Sequence, residues 1–344
     1  MIKNYILLFS IALFLAACGP KKEIAKTSDE ITYARILFYN VENLFDTLDA
    51  EGKSDAEYTP GSEKNWNTEK YYHKLSQLSK VIAAADTGFF PELIALSEIE
   101  NAEVVLDLAK TDLLKDQKYQ LIHQESPDQR GIDVALMHTN KYSPLYSEFV
   151  LVDLPGARTN TRDILYSKGV LYNDTVHLFV NHWPSRYGGK EKSDPKRAFT
   201  AAVLREKVDS IQKSEDRAQI IIMGDFNDYP ADSSLSYVLA AKESLSEDPD
   251  ELVNLAWKAE LAGKGSYNYK GHWGCLDQFI VSGNLFSSNL KADYSSYIIV
   301  KKEWMLYTNK KGEQSPSRTY GGKNHYGGYS DHLPVLLKLE MVKD

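Results

Sequence analysis

Residues 220–227 read Ile-Ile-Ile-Met-Gly-Asp-Phe-Asn. The apolar, largely β-branched start of this stretch predicts a strand that is buried on both faces. Asp225 and Asn227 stand two positions apart just past the strand, so their side chains can point to the same side. Asp225 is suited to accept a proton from an attacking water, while Asn227 is suited to hold that water or a phosphate oxygen. The alternative is a turn rich in Asp and Asn without a catalytic role.

Other apolar segments along the chain have the composition of strands or the periodicity of helices. We predict strands at 36–39, 93–96, 132–137, 176–180, 220–223, 279–281 and 335–339. Amphipathic spacing predicts helices at 69–86, 103–114 and 195–211, with Pro195 in the first turn of the last helix and Asp194 as its N-cap. Strands that alternate with helices in this way predict a single α/β domain whose sheets are covered by helices.

Hard oxygen ligands accumulate at the ends of these predicted strands. Glu98 follows one strand, Asn40 and Glu42 follow another, and Asp331 precedes the last strand. These residues predict a site for Mg²⁺ or Mn²⁺, because such ions bind through one or two carboxylates and keep several waters. Ca²⁺ in a structural or assisting role fits the same oxygen ligands. A histidine-ligated zinc site is the alternative, but the chain has no His-x-x-x-His or Cys-x-x-Cys pair.

Two histidines occur in contexts that suit phosphate chemistry. His182 is followed by Ser185, Arg186 and a Gly-Gly-Lys segment, which supply hydrogen-bond donors and a flexible backbone. His332 needs a partner that fixes its tautomer, and we expect Asp277 to lie against it and to keep the ring cationic. A purely structural histidine is the alternative in each case.

The motifs occur in a defined order along the chain. They are Tyr-Asn-Val-Glu-Asn at 39–43, Ser-Glu-Ile-Glu-Asn at 97–101, Arg-Gly-Ile-Asp-Val-Ala at 130–135, Asn-His-Trp-Pro-Ser-Arg at 181–186, Gly-Asp-Phe-Asn at 224–227, Leu-Asp-Gln-Phe at 276–279 and Ser-Asp-His at 330–332. In this order the motifs resemble the endonuclease/exonuclease/phosphatase superfamily from about Arg35 to Leu339. The resemblance implies a four-layer α/β/β/α sandwich of the deoxyribonuclease I-like type, with its site between two sheets.

The resemblance also implies a role for each matching metal-site residue. Glu98 corresponds to the principal metal ligand, with Asn40 and Asp331 beside it and Glu42 as a further acidic contributor. The expected cofactor is therefore Mg²⁺ or Mn²⁺.

The resemblance implies catalytic roles for five residues. Asp225 and Asn227 handle the nucleophilic water, and Asp277 with His332 form the acid and histidine pair at the scissile phosphate. His182 corresponds to the second histidine of the deoxyribonuclease-like and sphingomyelinase-like branches.

The fold class alone does not choose the substrate. The inositol-phosphatase branch tends to carry Trp before Gly-Asp-x-Asn and a Cys-Asp-Arg near the later acid, whereas this chain has Met223 and Leu-Asp-Gln at 276–278. The Asn-His-Trp-Pro-Ser-Arg motif is most similar to secreted bacterial nucleases, so we expect DNA or RNA as substrate. The alternatives are a phospholipase C-like (sphingomyelinase-like) or phosphomonoesterase activity, and a catalytically dead binding lipoprotein.

Substrate contacts are expected to be local. The formal net charge is −8, so the chain as a whole does not attract polyanions. Arg130 and Arg186 are candidate phosphate contacts, and Asp133 is expected to orient Arg130. Trp273 can pack against a sugar or base, with a place in the core as the alternative. The basic stretch 301–330 predicts a long loop at a functional rim, and a disordered insertion is the alternative.

The N-terminal sequence indicates export. Residues 1–17 have the layout of a signal peptide, and Leu-Ala-Ala-Cys at 15–18 resembles a lipoprotein cleavage box in which Cys18 is lipidated. A tether at 18–30 and a domain at 31–344 follow. We therefore expect attachment to a bacterial membrane on its periplasmic or cell-surface side, with no protein partner implied. An ordinary signal with a chance cysteine is the alternative.

Overall fold

Two mixed β-sheets form the framework of the protein in the computed structural model. The structure describes residues 32–246 and 248–342. The strands of the first sheet are β1 Thr32–Leu44, β2 Leu93–Ile99, β3 Gln120–His123, β4 Asp133–His138, β14 Leu290–Lys291, β15 Tyr297–Ile299 and β20 Val335–Met341. Their order is β14-β20-β1-β2-β4-β3, and β15 also pairs with β20. The parallel pairing of β1 with β2 places the two strand ends that carry Asn40 and Glu98 side by side.

The strands of the second sheet are β5 Tyr142–Val150, β6 Ile164–Leu171, β7 Asp174–His182, β8 Ile220–Asp225, β9 Ala241–Lys242, β10 Leu252–Asn254 and β13 Asp277–Ser282. Their order is β5-β6-β7-β8-β13-β10-β9. Strand β7 is parallel to β8, and β13 is antiparallel to β8. Each of the seven predicted strands overlaps an observed strand, so the strand prediction is confirmed.

Three longer helices cover the outer faces of the two sheets, and a fourth, short helix packs Ala259 against the apolar residues between the sheets. The helices are α1 Thr68–Ala83, α2 Ala102–Ala109, α3 Lys190–Ser214 and α4 Trp257–Leu261. Short 3₁₀ segments occur at Ala56–Tyr58, Lys115–Gln117, Gly283–Phe286 and Glu303–Met305, and a π-helical turn at Ser234–Val238. One apolar cluster joins the first sheet to α1 and α2, a second fills the space between the sheets, and a third joins the second sheet to α3. These clusters define the predicted four-layer α/β/β/α sandwich, a single domain.

Helix α3 begins earlier than predicted. We expected it to span 195–211 with Asp194 as N-cap, but it begins at Lys190 with Gly189 as N-cap, and Pro195 lies inside it. Asp194 instead pairs with the buried Arg197, which also donates to Ser193 Oγ at 2.8 Å. The added first turn is polar, so apolar periodicity could not reveal it. Helices α1 and α2 end three and five residues earlier than predicted, at Ala83 and Ala109.

The basic stretch 301–330 is not the single long loop that we predicted. It contains the hairpins β16 Leu306–Thr308 with β17 Gln314–Pro316, and β18 Tyr320–Gly321 with β19 Asn324–His325. A third hairpin, β11 Tyr267–Tyr269 with β12 His272–Gly274, precedes β13. These hairpins lie outside the two main sheets. Their side chains can contribute to the opening between the ends of the two sheets.

Within the described ranges, no helix combines the length and apolar character that crossing a bilayer requires. Cys275 is a buried free thiol that packs into the cluster between the sheets. The predicted signal peptide, Cys18 and the tether at 18–30 lie outside the described residues.

Candidate active site

Neighbouring strands of the second sheet present three candidate catalytic residues in one row. His182 at the end of β7 is in register with Asp225 at the end of β8, and Asp225 is in register with Asp277 at the start of β13. Asn40 reaches the same point from the first sheet, because its Nδ2 donates to Asp225 Oδ2 at 3.0 Å. The site therefore lies where the ends of the two sheets meet.

A cleft of about 690 Å³ opens at this point. Eight of the predicted site residues line it, namely Glu98, Arg130, His182, Arg186, Asp225, Asn227, Asp331 and His332. Asp277 and Asn40 are almost fully buried and contact the lining residues His332 and Asp225 from behind. The cleft has the size of ordinary ligand sites in proteins.

The structure brings Asp277 and His332 together. His332 Nδ1 lies 2.7 Å from Asp277 Oδ2, which also accepts a hydrogen bond from Ser266 Oγ. Burial alone would lower the pKa of His332, but the carboxylates of Asp277 and Asp225 raise that pKa well above its usual range. The two carboxylates therefore favour the cationic form of His332, and among the described residues its Nε2 makes no hydrogen bond.

Asp225 is held in place from both sides. Its Oδ1 accepts from the backbone N–H of Asn227 at 2.9 Å, and its Oδ2 accepts from Asn40. Burial raises the pKa of Asp225 to about 7, a shift that His332 opposes and Asp277 reinforces. A carboxylate with a pKa near neutrality is matched to the task of a general base at that pH.

His182 has the opposite protonation state from His332. Burial, assisted by the charges of Arg162 and Arg130, lowers the pKa of His182 well below its ordinary value. Its Nε2 lies 3.7 Å from Asp225 Oδ2 and 3.8 Å from Glu98 Oε1. The site thus combines a neutral imidazole with a cationic one, and environments that separate two pKa values in this way are typical of acid–base catalysis.

Glu98 and Asp331 carry oxygens that suit a divalent cation. Glu98 Oε2 accepts from the backbone N–H of Asn43 at 3.0 Å, and Asp331 Oδ2 accepts from Arg318 Nη2 at 2.7 Å. Among the described residues, neither Glu98 Oε1 nor Asp331 Oδ1 receives a hydrogen bond, and both residues line the cleft. Glu98 also has a left-handed backbone with φ of 62°, a conformation that often accompanies functional sites. This donor set fits a hard cation such as Mg²⁺ or Mn²⁺.

Glu42 does not reach the cleft. Its carboxylate accepts from the backbone N–H of Thr319 at 2.6 Å and of Tyr320 at 3.3 Å, and Arg318 Nε lies 3.5 Å away. Glu42 therefore anchors the segment that carries Arg318. From the sequence, Glu42 was predicted as a metal ligand.

Asn227, predicted as a catalytic residue, and Arg186, predicted as a substrate contact, line the cleft, but both are hydrogen-bonded to other residues of the protein. Asn227 Nδ2 donates to the carbonyl of Trp183 at 3.0 Å. Arg186 donates to the carbonyl of Asn227 at 2.7 Å and to Asp228 Oδ1 at 3.0 Å. Arg186 thus joins the loop after β7 to the loop after β8.

Arg130 is more available to a substrate than Arg186, because half of its side chain is exposed and its nearest carboxylate, Asp128, lies 3.7 Å away. Asp133 does not orient Arg130 as we expected. It accepts from the backbone N–H of Ser126 and contacts His123 Nε2, both at 2.9 Å, because its place inside β4 turns it toward the preceding strand.

Trp273 does not line the cleft. It packs at the edge of the cluster that joins the first sheet to α1 and α2, and Lys301 Nζ lies 4.1 Å from the centre of its ring. This placement matches the core alternative for Trp273.

Several buried cations that support the site were missed by sequence reasoning. Lys74 is fully buried and donates from Nζ to Tyr329 O at 2.7 Å and to Thr319 Oγ1. Arg162 donates to Asp128 Oδ2 at 2.9 Å and to the carbonyl of Trp183 at 2.7 Å. Of these two residues, only Lys74 could have been predicted as buried from the sequence, because it lies on the apolar face of α1 with Leu75 and Leu78.

A sequence model described as the Endonuclease/Exonuclease/phosphatase family matches residues 35–341, which is most of the chain. This chain belongs to that family. Family members are divalent-metal-dependent hydrolases of phosphoric esters, and the acidic and histidine groups of the cleft are consistent with that chemistry. No curated protein matches the chain.

Solved structures of family members share the fold at low sequence identity. A family protein from Bacteroides thetaiotaomicron is 13% identical, with 92% of this chain and 100% of that chain covered and a TM-score of 0.53. D. rerio TDP2 complexed with single strand DNA product is 16% identical, with 90% and 99% covered and a TM-score of 0.54. The human Nocturnin catalytic domain with bound sulfate anion is 15% identical, with 90% and 95% covered and a TM-score of 0.52.

Proposed function

We propose that this phosphoric ester hydrolase is a nuclease that cleaves phosphodiester bonds of DNA or RNA with the help of Mg²⁺ or Mn²⁺. The observation that carries the proposal is the position of the buried carboxylate of Asp225 between a neutral and a cationic histidine. Nucleic acid as substrate is supported by the half-exposed Arg130 at the cleft and by the Asn-His-Trp-Pro-Ser-Arg motif. D. rerio TDP2, which has the same fold, has been crystallised with a single-stranded DNA product.

The three central side chains have distinct tasks in this proposal. Asp225 takes a proton from the attacking water, and Asn40 and the backbone of Asn227 keep its carboxylate oriented. His332 places a positive charge beside the phosphoryl oxygens as negative charge develops on them. His182 donates a hydrogen bond from its neutral ring to a phosphate or leaving-group oxygen.

The distances allow one phosphate to contact both histidines. Nε2 of His182 and Nε2 of His332 lie 3.7 Å and 3.9 Å from the same oxygen, Asp225 Oδ2. Neither distance is a hydrogen bond, so both nitrogens can serve a substrate that lies among them. Glu98 and Asp331 would hold the metal ion, which when bound polarises the phosphoryl group and offsets its charge.

A side-by-side assay tests the substrate class. The full-length chain is incubated with Mg²⁺ or Mn²⁺ and double-stranded DNA, single-stranded DNA, RNA, sphingomyelin or an inositol phosphate, with Asp225→Ala as control. We expect cleavage of nucleic acid that disappears in the variant. Hydrolysis of sphingomyelin or inositol phosphate alone would reject the nuclease proposal and leave the site assignment in place, and inactivity toward all five substrates would favour a binding protein.

We further propose that the chain is exported and anchored to a bacterial membrane through lipid on Cys18. The support is the sequence of residues 1–18. Cell fractionation of the wild type and of Cys18→Ser tests this proposal, with the wild type expected in the membrane fraction and the variant released. Equal membrane association of both proteins would contradict it.

A further inference from the structure

Two exposed tyrosines line the same cleft as the catalytic residues. Tyr187 is 93% exposed and Tyr269 is 55% exposed. Exposure alone does not distinguish them, since Tyr237 is 83% exposed and does not line this cleft. Their place beside Asp225 and His332 does distinguish them, because an aromatic ring in a ligand site offers a flat apolar face to what binds there.

The segment that carries Tyr187 is fixed at both ends. Arg186, the preceding residue, is tied to the carboxylates of Asp228 and Asp232. Gly188 and Gly189, which follow, have φ of 82° and 108° and lead directly into α3. The ring of Tyr187 therefore projects from the short connection between the anchored Arg186 and the start of α3.

Tyr269 is close to the catalytic centre through its own hairpin. Tyr267, two residues earlier on β11 and hence on the same face, packs its ring 4.7 Å from the ring of His332. The hairpin turn is closed by a hydrogen bond from Gly271 N to Asn268 Oδ1 at 3.1 Å. Tyr269 thus lies about 7 Å further along the same face of β11, in the lining of the cleft that contains His332.

Each tyrosine has a cation nearby. Lys270 Nζ lies 5.1 Å from the ring centre of Tyr269, and Lys190, three residues after Tyr187, lines the cleft. Lys190 forms ion pairs with Asp194 and Asp232, but its side chain remains 44% exposed. Alternating aromatic and cationic side chains match a polymer of flat bases and phosphates, since the bases stack on the rings and the phosphates meet the cations.

We propose that Tyr187 and Tyr269 stack on bases that flank the scissile phosphate, and that the preferred substrate is single-stranded nucleic acid. The inference rests on the proposed nuclease function and names its substrate class. Asp225 and His332 are only 2% and 7% exposed, so the phosphate must enter the cleft. The bases of a duplex are already paired and stacked, whereas a single strand can insert its phosphate and place its bases on protein rings.

The experiment measures kcat and KM of the full-length chain on one oligonucleotide, single-stranded and as a duplex. The wild type is expected to have the higher kcat/KM on the single strand. Tyr187→Ala and Tyr269→Ala are each expected to raise the single-strand KM about five- to a hundred-fold, the range for loss of one base–aromatic stack. Tyr187→Phe and Tyr269→Phe keep the ring and should stay within about twofold of the wild type.

Tyr237→Ala is the matched control, an exposed tyrosine away from the cleft, and its KM should not change. The inference is overturned if the wild type prefers the duplex, or if both alanine variants keep the wild-type KM while nucleic acid is cleaved. Failure of the wild type to cleave any nucleic acid would overturn the nuclease proposal, and this inference with it.

Discussion

At the scale of single residues, the proposed mechanism depends on the charge of His332. That charge is maintained by Asp277, whose Oδ2 lies 2.7 Å from His332 Nδ1. Asp277 is fully buried and does not line the cleft, so it acts on the substrate only through the ring that it holds. The pair resembles the carboxylate–histidine part of a catalytic triad, in which the carboxylate fixes the tautomer and stabilises the cation.

We expect His332→Ala and Asp277→Asn each to lower kcat at least about 10²-fold, because a positioned charge beside the phosphate is lost. Steady-state hydrolysis at neutral pH measures the effect. His177→Gln is the matched control, since His177 is also buried beside a carboxylate, with Nε2 at 3.2 Å from Glu215, but lies outside the cleft. A loss below tenfold in both site variants would contradict the assignment.

Asp163 provides a pH-dependent test that is independent of catalysis. Burial raises its pKa to about 6, against about 3.9 in an unfolded chain, and its Oδ1 has no hydrogen-bond partner among the described residues. Between these pH values the folded protein keeps a proton that the unfolded chain has lost. Asp163 therefore lowers stability progressively as the pH rises from about 4 to about 6, and its effect is constant above that window.

We expect Asp163→Asn to remove the loss of stability that Asp163 causes as the pH rises. The free energy of unfolding of the variant relative to the wild type should rise by up to about 2 kcal/mol between pH 4 and pH 7, after allowance for solvent screening. Urea denaturation at several pH values measures the difference. A difference that is constant with pH, or that falls as the pH rises, would show that Asp163 is not protonated in the folded state.

At the scale of elements, helix α1 is connected to the segment before β20 by one buried cation. Lys74 Nζ donates to Thr319 and Tyr329, and burial lowers the pKa of Lys74 to about 8. The segment between those two contacts begins next to Arg318 and ends close to Asp331. Lys74 thus stabilises the part of the chain that presents Asp331 to the cleft.

We expect Lys74→Met to lower the free energy of unfolding by about 1 to 3 kcal/mol, because two buried acceptors lose their donor. Lys196→Met is the control, at an exposed lysine of α3 whose side chain makes no hydrogen bond or ion pair with the described residues, and it should change the free energy by less than about 0.5 kcal/mol. Chemical denaturation compares the two variants. Equal effects would indicate that Lys74 makes no special contribution.

A second element-scale connection joins α3 to the loop after β8. Arg197 is completely buried, its Nε lies 2.8 Å from Asp228 Oδ2, and it also donates to the carbonyl of Pro184 at 3.3 Å. Asp228 in turn binds Arg186. The guanidinium of Arg197 therefore fixes the loop that follows His182 and the loop that carries Asn227.

We expect Arg197→Met to destabilise the protein by about 3 to 5 kcal/mol, the usual result of leaving a buried carboxylate without its partner. Arg205→Met provides the comparison on the same helix, since Arg205 pairs with the exposed Asp209 and should contribute at most about 1 kcal/mol. Thermal and urea unfolding measure both variants. A small effect at Arg197 would mean that Arg186 alone satisfies Asp228.

At the scale of the whole molecule, the strands and the residues at their ends could be predicted from the sequence. Buried strands leave an apolar, β-branched pattern, and the polar residues that follow must lie at the edge of a sheet. Asp225, His182 and Glu98 were predicted in this way, and the structure places all three at the same cleft.

Contacts between distant parts of the chain leave no such pattern. Glu42 binds the backbone of Thr319, 277 residues away, and Lys74 binds Thr319 across 245 residues. Periodicity gives no information on pairs at that separation, so Glu42 was predicted as a ligand and Lys74 was missed. The polar first turn of α3 was missed because it carries little apolar surface, and the hairpins in 301–330 were missed because strands of two or three residues are too short to show an alternating pattern.

The proposed hydrolysis requires Asp225 and a divalent cation to act together in the cleft between the sheets. The most direct test is nucleic-acid hydrolysis by the wild type and by Asp225→Asn, before chelation, after chelation, and after addition of Mg²⁺, Mn²⁺ or Zn²⁺. We expect chelation to abolish wild-type activity, Mg²⁺ or Mn²⁺ to restore it, and the variant to stay inactive throughout. Wild-type activity that survives chelation, restoration by Zn²⁺ alone, or a fully active variant would contradict it.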